Sequence, residues 1–179
     1  RRAYLRPRSD VTARWAERLG ARPEGLRIGL SWRGGVKHTH TGRRSMPLTQ
    51  LAPLFDLPGC EFVSLQYGDV AEEVAAVNAG LANPIRVFPK ADIDDFEELA
   101  GLVQSLDVVV SVQTSLVHLC GALGHPCLTM VPSIPEWRYG VSGPSMVWYR
   151  SVELIRQADP RTWKPVVKEV RETLQRGLE

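Results

Sequence analysis

The stretch Leu106–Pro132, LDVVVSVQTSLVHLCGALGHPCLTMVP, decides how this chain is read. Asp107–Val112 is a short apolar run rich in β-branched residues, the pattern of a strand buried on both faces. Gln113, Thr114 and Ser115 follow without a spacer, where a helix would open. Leu116, Leu119, Cys120 and Leu123 then recur at i, i+3, i+4 and i+7. Gly124 stops the helix, Pro126 lies just beyond it, and Cys127–Val131 is a second buried strand. The first turn of a helix has N–H groups without partners and carries about half a positive charge. Hydroxyls at Thr114 and Ser115 add donors at the same spot, so an anion is welcome there. His118 falls four residues after Thr114, away from the apolar stripe. Taken alone, the same residues also describe a plain helix cap and a half-buried imidazole.

Outward from this unit, strands and helices alternate. Asp10 is placed to cap a helix whose Val11, Trp15 and Leu19 share a face, and residues 1–25 read as a lead-in to a domain over 26–179. Strands are expected at Arg27–Trp32, Glu61–Gln66 and Ile85–Phe88, with a brief sixth at Val152–Ile155. Between them come a short helix within Pro47–Phe55 and a helix opened by an Asp69/Glu72 capping box. A further helix is capped by Asp94 or Asp95, and a last one starts at Thr162. Short connections throughout argue for an α/β, doubly wound, Rossmann-like parallel sheet of strand order 3-2-1-4-5. Ligands of such sheets bind outside the carboxyl ends of the strands, where the order reverses. The two loops that meet there are Arg33–Ser45, with Arg33, Lys37, Arg43 and Arg44 and no acid, and Val112–Ser115.

Composition narrows the function classes. The chain has 179 residues, 44% hydrophobic and 23% charged, with a net charge of +2, which argues against a dedicated nucleic-acid or membrane-surface binder. No apolar run approaches a membrane span. Cys60, Cys120 and Cys127 are odd in number, have no CxxC spacing and lie in or beside apolar segments. They read as reduced packing cysteines in a cytoplasmic setting. Neither G-x-G-x-x-G nor a GK[ST] P-loop is present, which disfavours dinucleotide redox chemistry and NTP hydrolysis. His38 and His40 have no Cys or carboxylate nearby to complete a metal site, and Asp92 and Asp94 suit a helix start better than a cation. No metal or cofactor is expected. Asp69 and Glu72 are caps first, within reach of a ribose hydroxyl, and Trp137, Arg138, Tyr139, Trp148 and Tyr149 are able to stack a base or sugar or to pack the loop. The residues show a place to hold a phosphorylated ligand without showing the group that does the chemistry.

RIGLSWRGG, RRSMPL, FVSLQYGD, LDVVVSVQTSLVHLCGALGHP and the PEWRYG loop together resemble the carboxyl-terminal half of the heptosyltransferase-like (family 9-like) GT-B glycosyltransferases, above all versions fused to tetratricopeptide repeats. The resemblance implies a domain that holds a nucleoside-diphosphate sugar, with the acceptor site and general base in an amino-terminal domain. The chain opens Arg1-Arg2 without a methionine and is expected to be a piece of a longer protein. By that likeness Gln113, Thr114, Ser115 and His118 take the donor diphosphate, with Arg44 as the charge partner of the leaving group and Arg33 and Lys37 lining the loop. Asp69, Glu72 and Trp137 fall to the nucleoside or sugar. One departure stands out: the family usually has Asp where this chain has Gln113. A non-catalytic interaction module that kept the fold is the alternative it raises. A sugar-nucleotide epimerase is a weaker third reading, because its acid/base carboxylates are not evident.

Overall fold

The structure, a computed structural model, describes residues 2–34 and 41–178. Five parallel strands form one sheet: β1 (Arg27–Ser31), β2 (Glu61–Ser64), β3 (Val108–Val112), β4 (Cys127–Val131) and β5 (Val152–Arg156). Their spatial order is β2-β1-β3-β4-β5, so the chain reverses its direction of winding between β1 and β3. Ile28 pairs with Phe62 on one side and Val108 on the other.

The helices are α1 (Ser9–Leu19), α2 (Ala52–Phe55), α3 (Ala71–Asn78), α4 (Lys90–Ile93), α5 (Phe96–Gln104), α6 (Ser115–Leu123) and α7 (Lys164–Arg176). Side chains alternate across a strand, and the sheet feeds two cores accordingly. Ile28, Leu30, Val108 and Val110 pack under α2, α3 and α7. Val63, Val109, Val131 and Leu154 pack under α1, α5 and α6. Both faces are covered, which is why β1, β3 and β4 are buried at every position. None of the described helices is long and apolar enough to cross a membrane.

Ile85–Phe88 does not form the full strand expected of it. It makes a single parallel bridge, Val63 to Arg86, with Ser64 N–H donating to the Arg86 carbonyl and Arg86 N–H to the Phe62 carbonyl, both at 2.8 Å. The segment lies on the outer side of β2, the place the expected order gave it. Pro84 and Pro89 bracket it, and Asn78 takes both backbone groups of Ile85 with its side-chain amide. Few ladder groups remain. The expected brief strand near residue 152 is a full edge partner of β4.

Some expected caps also differ. Asp10 lies inside the first turn of α1, paired with Arg8 and Arg14, while Arg8 occupies the cap position. The Asp69/Glu72 box does not form: Val70 is the cap residue, and among the described residues Asp69 accepts the Ala71 N–H alone, at 3.2 Å. Asp95 caps α5 through the N–H groups of Glu97 and Glu98. Gly124 closes α6 in the left-handed conformation, at φ 70°.

Candidate functional site

At the carboxyl ends of β1, β2 and β3, where the winding reverses, lies an open cleft of about 770 Å³. Four loops build it: the one leaving β1 (Arg33, Gly34, then Arg44 and Ser45), the turn after β2 (Gln66–Asp69), the β3–α6 join (Gln113–Ser115, with His118) and the loop after β4 (Glu136, Arg138 and Tyr139).

Local hydrogen bonds fix the walls. Gln66, buried after β2, accepts the N–H groups of Trp32 and Arg33 at 2.8 Å each and donates to the carbonyls of Arg33 and Tyr67. It thereby ties the loop after β1 to the turn after β2. Ser45 binds back to both backbone groups of Gly34. Gly34 runs so close to the β3–α6 join that a β-carbon there would lie 2.7 Å from the Gln113 carbonyl oxygen, so only glycine lets the two loops touch. Thr114 is the cap residue of α6, in extended conformation. Its hydroxyl faces Ser111 Oγ at 3.2 Å and makes no bond to the helix backbone.

The charges are mostly paired. Arg44 lies 3.3 Å from Glu136, with its side chain 13% exposed. Arg33 lies 3.1 Å from Glu73. Glu73 also accepts the Trp32 indole N–H and the Leu48 N–H, so it braces the root of the basic loop. Arg138 sits over the face of Trp137, 4.5 Å from the ring centroid. His118 is half-buried between Tyr139 and Tyr149, with ring centroids 5.9 and 5.8 Å away. Burial first, and then the Arg138 charge, lower its pKa below the usual histidine value, so the imidazole is neutral near pH 7. Burial pushes the Tyr139 phenol above its ordinary range, and it stays protonated.

Of the residues singled out in the sequence, Arg33, Arg44, Asp69, Gln113, Thr114, Ser115 and His118 meet in this cleft. Lys37 lies outside the described residues, as do His38 and His40. Glu72 does not join the wall: it is exposed on α3, and its neighbour Glu73 is the one turned inward. Trp137 stands 70% exposed and edge-on to Trp148, beside a smaller side pocket of about 160 Å³ that shares Arg44, Gln113 and Glu136 with the cleft. A further cavity of about 480 Å³ opens from the same Tyr67–Asp69 turn toward Phe88 and Ile93. Sequence reasoning missed Gln66 and Glu73. A polar amide closing the apolar run expected as the strand Glu61–Gln66 was the only hint of the first.

No family model matches the chain. Over 174 residues, 95% of its length, it is 29% identical to Protein FlbA of Caulobacter vibrioides, of which it spans 28%. Solved structures of similar fold include a family 9 glycosyl transferase from Veillonella parvula (TM-score 0.61, 13% identity, covering 96% of this chain and 45% of that one). Another is the Escherichia coli ADP-heptose lps heptosyltransferase II (0.64, 16%, 97% and 54%). A third is the E. coli heptosyltransferase WaaC with ADP (0.62, 18%, 93% and 48%). The chain spans about half of each solved chain, and at these identities the likeness is one of fold. The protein is a doubly wound α/β domain of the kind found in heptosyltransferases.

Proposed function

We propose that this chain is the donor-binding domain of a glycosyltransferase that moves a sugar from a nucleoside-diphosphate sugar to an acceptor. The observation that carries the reading is the meeting of Arg33, Arg44 and the amino terminus of α6 in one cleft at the switch point of the sheet. A pyrophosphate fits that set: helix N–H groups donate to an anion, and arginine offers two parallel donors to phosphoryl oxygens. The fold neighbour solved with ADP supports a nucleoside diphosphate as the ligand. The cavity running toward Phe88 and Ile93 offers an apolar berth for the nucleoside, with Asp69 at its mouth.

In transfer, the acceptor oxygen attacks the anomeric carbon while the bond from that carbon to the diphosphate breaks, leaving its electron pair on the phosphate oxygen. Arg44 and the α6 terminus stabilise that charge, work that divalent metals do in other enzymes. To reach the ligand, Arg44 trades its pair with Glu136 for the phosphate. The reading assigns the base for the acceptor proton, with the acceptor site, to an amino-terminal domain of a longer chain, as the family resemblance implies. The buried, unpaired Cys60, Cys120 and Cys127 fit a reducing, cytoplasmic compartment.

One observation favours a second reading, a non-catalytic module that kept the fold: the cleft carries the neutral amide of Gln113 where the family it resembles usually has Asp. Calorimetric titration of ADP, GDP and UDP tests the first reading. Binding that falls about tenfold or more in both Arg44→Ala and Thr114→Ala supports it, a charge-assisted hydrogen bond being worth about 1.5–3 kcal/mol. No binding, or binding indifferent to both changes, refutes it. Sugar transfer by the full-length protein would dispose of the non-catalytic module.

A further inference from the structure

Arg138 differs from the other described arginines of the cleft wall. Arg33 and Arg44 are each held by a carboxylate, Glu73 and Glu136. Arg138 has no carboxylate partner among the described residues. Its guanidinium lies over the Trp137 ring, a contact that uses none of its five N–H donors. The backbone beneath it is pinned on both sides. The Trp148 indole donates to the Arg138 carbonyl at 3.1 Å. Arg156, at the end of β5, donates to the carbonyls of Tyr139, Gly140, Ser142 and Gly143. The side chain therefore springs from a fixed point, with its donors available. His118 nearby adds no countercharge, since burial and the Arg138 charge keep it neutral. Arg43, which lines the adjoining side pocket with Trp137, also has no carboxylate partner among the described residues.

The spatial order β2-β1-β3-β4 sets what lies where along the cleft. In the donor-domain reading the nucleoside enters the cavity on the β2 side, and the diphosphate lies over β1 and β3, on Arg33, Arg44 and the α6 terminus. The group beyond the diphosphate then falls at the loop after β4, which carries Trp137 and Arg138. That end of the cleft has cations that the diphosphate does not need and that no acid of the described protein neutralises.

We propose that Arg138 reads a carboxylate on the sugar that the nucleoside diphosphate carries, so that the donor is of the acidic-sugar class. This rests on the donor-domain reading and deepens it by naming the substrate class. A guanidinium and a carboxylate pair through two parallel charge-assisted hydrogen bonds, which a neutral sugar hydroxyl cannot match.

Calorimetry at pH 7.5 tests this with whichever of ADP, GDP and UDP wild type binds tightest, and with the glucose, glucuronate and galacturonate esters of that same nucleotide. Wild type is expected to bind at least one uronate ester about tenfold or more tighter than the glucose ester. Arg138→Gln, checked for folding by thermal melts, should bring that ratio to within twofold of one. The ratio is the readout, because a loss of loop structure would weaken every probe alike. Wild type that binds the bare diphosphate but does not prefer either uronate overturns the proposal and leaves the donor-domain reading standing. A preference that survives Arg138→Gln overturns it as well, since another group would then read the carboxylate. So does a uniform loss across all probes, which would make Arg138 a phosphate contact or a structural one. Wild type that binds none of the probes refutes the donor-domain reading itself, and this proposal with it.

Discussion

Replacing Gln66 with leucine is the sharpest perturbation of the frame that holds the cleft. Four backbone groups lose their partner: the N–H groups of Trp32 and Arg33 and the carbonyls of Arg33 and Tyr67. Of these bonds, the one to Trp32 is fully buried, while the other three border the cleft and can recruit water. One buried orphan at about 1–3 kcal/mol and three wet ones at a fraction of that give a destabilisation of about 2–4 kcal/mol. For a domain of this size that lowers the melting midpoint by about 5–15 °C. Urea unfolding followed by circular dichroism measures it, with an unchanged slope marking a loss of stability and not of compactness. Gln66→Glu is the control, because it keeps an acceptor for Trp32 and Arg33 and should recover most of the loss. A Gln66→Leu cost below about 1 kcal/mol would refute the view that this one amide ties the loop after β1 to the turn after β2.

Gly34→Ala should push the basic loop off the β3–α6 join, because its new β-carbon would lie 2.7 Å from the Gln113 carbonyl oxygen and 3.0 Å from the Thr114 methyl. Unfolding should show a cost of about 1–3 kcal/mol, and calorimetry a weaker grip on the nucleoside diphosphate. Wild-type affinity in this variant would mean that the contact of the two loops does not matter. His125, buried beside β4, has its pKa lowered by burial from the ordinary 6.5 to about 4, against the pull of Asp107. Between those values the unfolded chain binds a proton that the folded chain refuses. Stability is therefore complete above about pH 6.5 and falls by about 3 kcal/mol as pH drops to about 4. Unfolding curves across that range should flatten in His125→Gln relative to wild type; parallel profiles would contradict the assignment.

Much of this was legible in the sequence because it depends on local pattern. The β3–α6–β4 unit, the covered faces of the sheet and the switch point all follow from apolar period and short loops. So does the meeting of Arg44 with Thr114, since topology alone brings the loops after β1 and β3 together. Ile85–Phe88 has strand composition, but whether it becomes a ladder depends on what neighbouring side chains leave unpaired, and Asn78 had already claimed the groups of Ile85. The capping-box spacing points to Glu72 and says nothing of Glu73, whereas a helix starting at Ala71 turns Glu73 toward Trp32. Gln66 was illegible for a related reason. Its value lies in three backbone groups far away in sequence, and no spacing encodes them.

The claim on which the functional account stands is that the α6 amino terminus and Arg44 together grip a pyrophosphate. A crystal structure of this chain with the nucleoside diphosphate it binds tightest tests it most directly. The account predicts phosphoryl oxygens within hydrogen-bond distance of the Ser115 N–H and the Arg44 guanidinium, with the Arg44–Glu136 pair opened. A diphosphate seated elsewhere, with that pair intact, would contradict it.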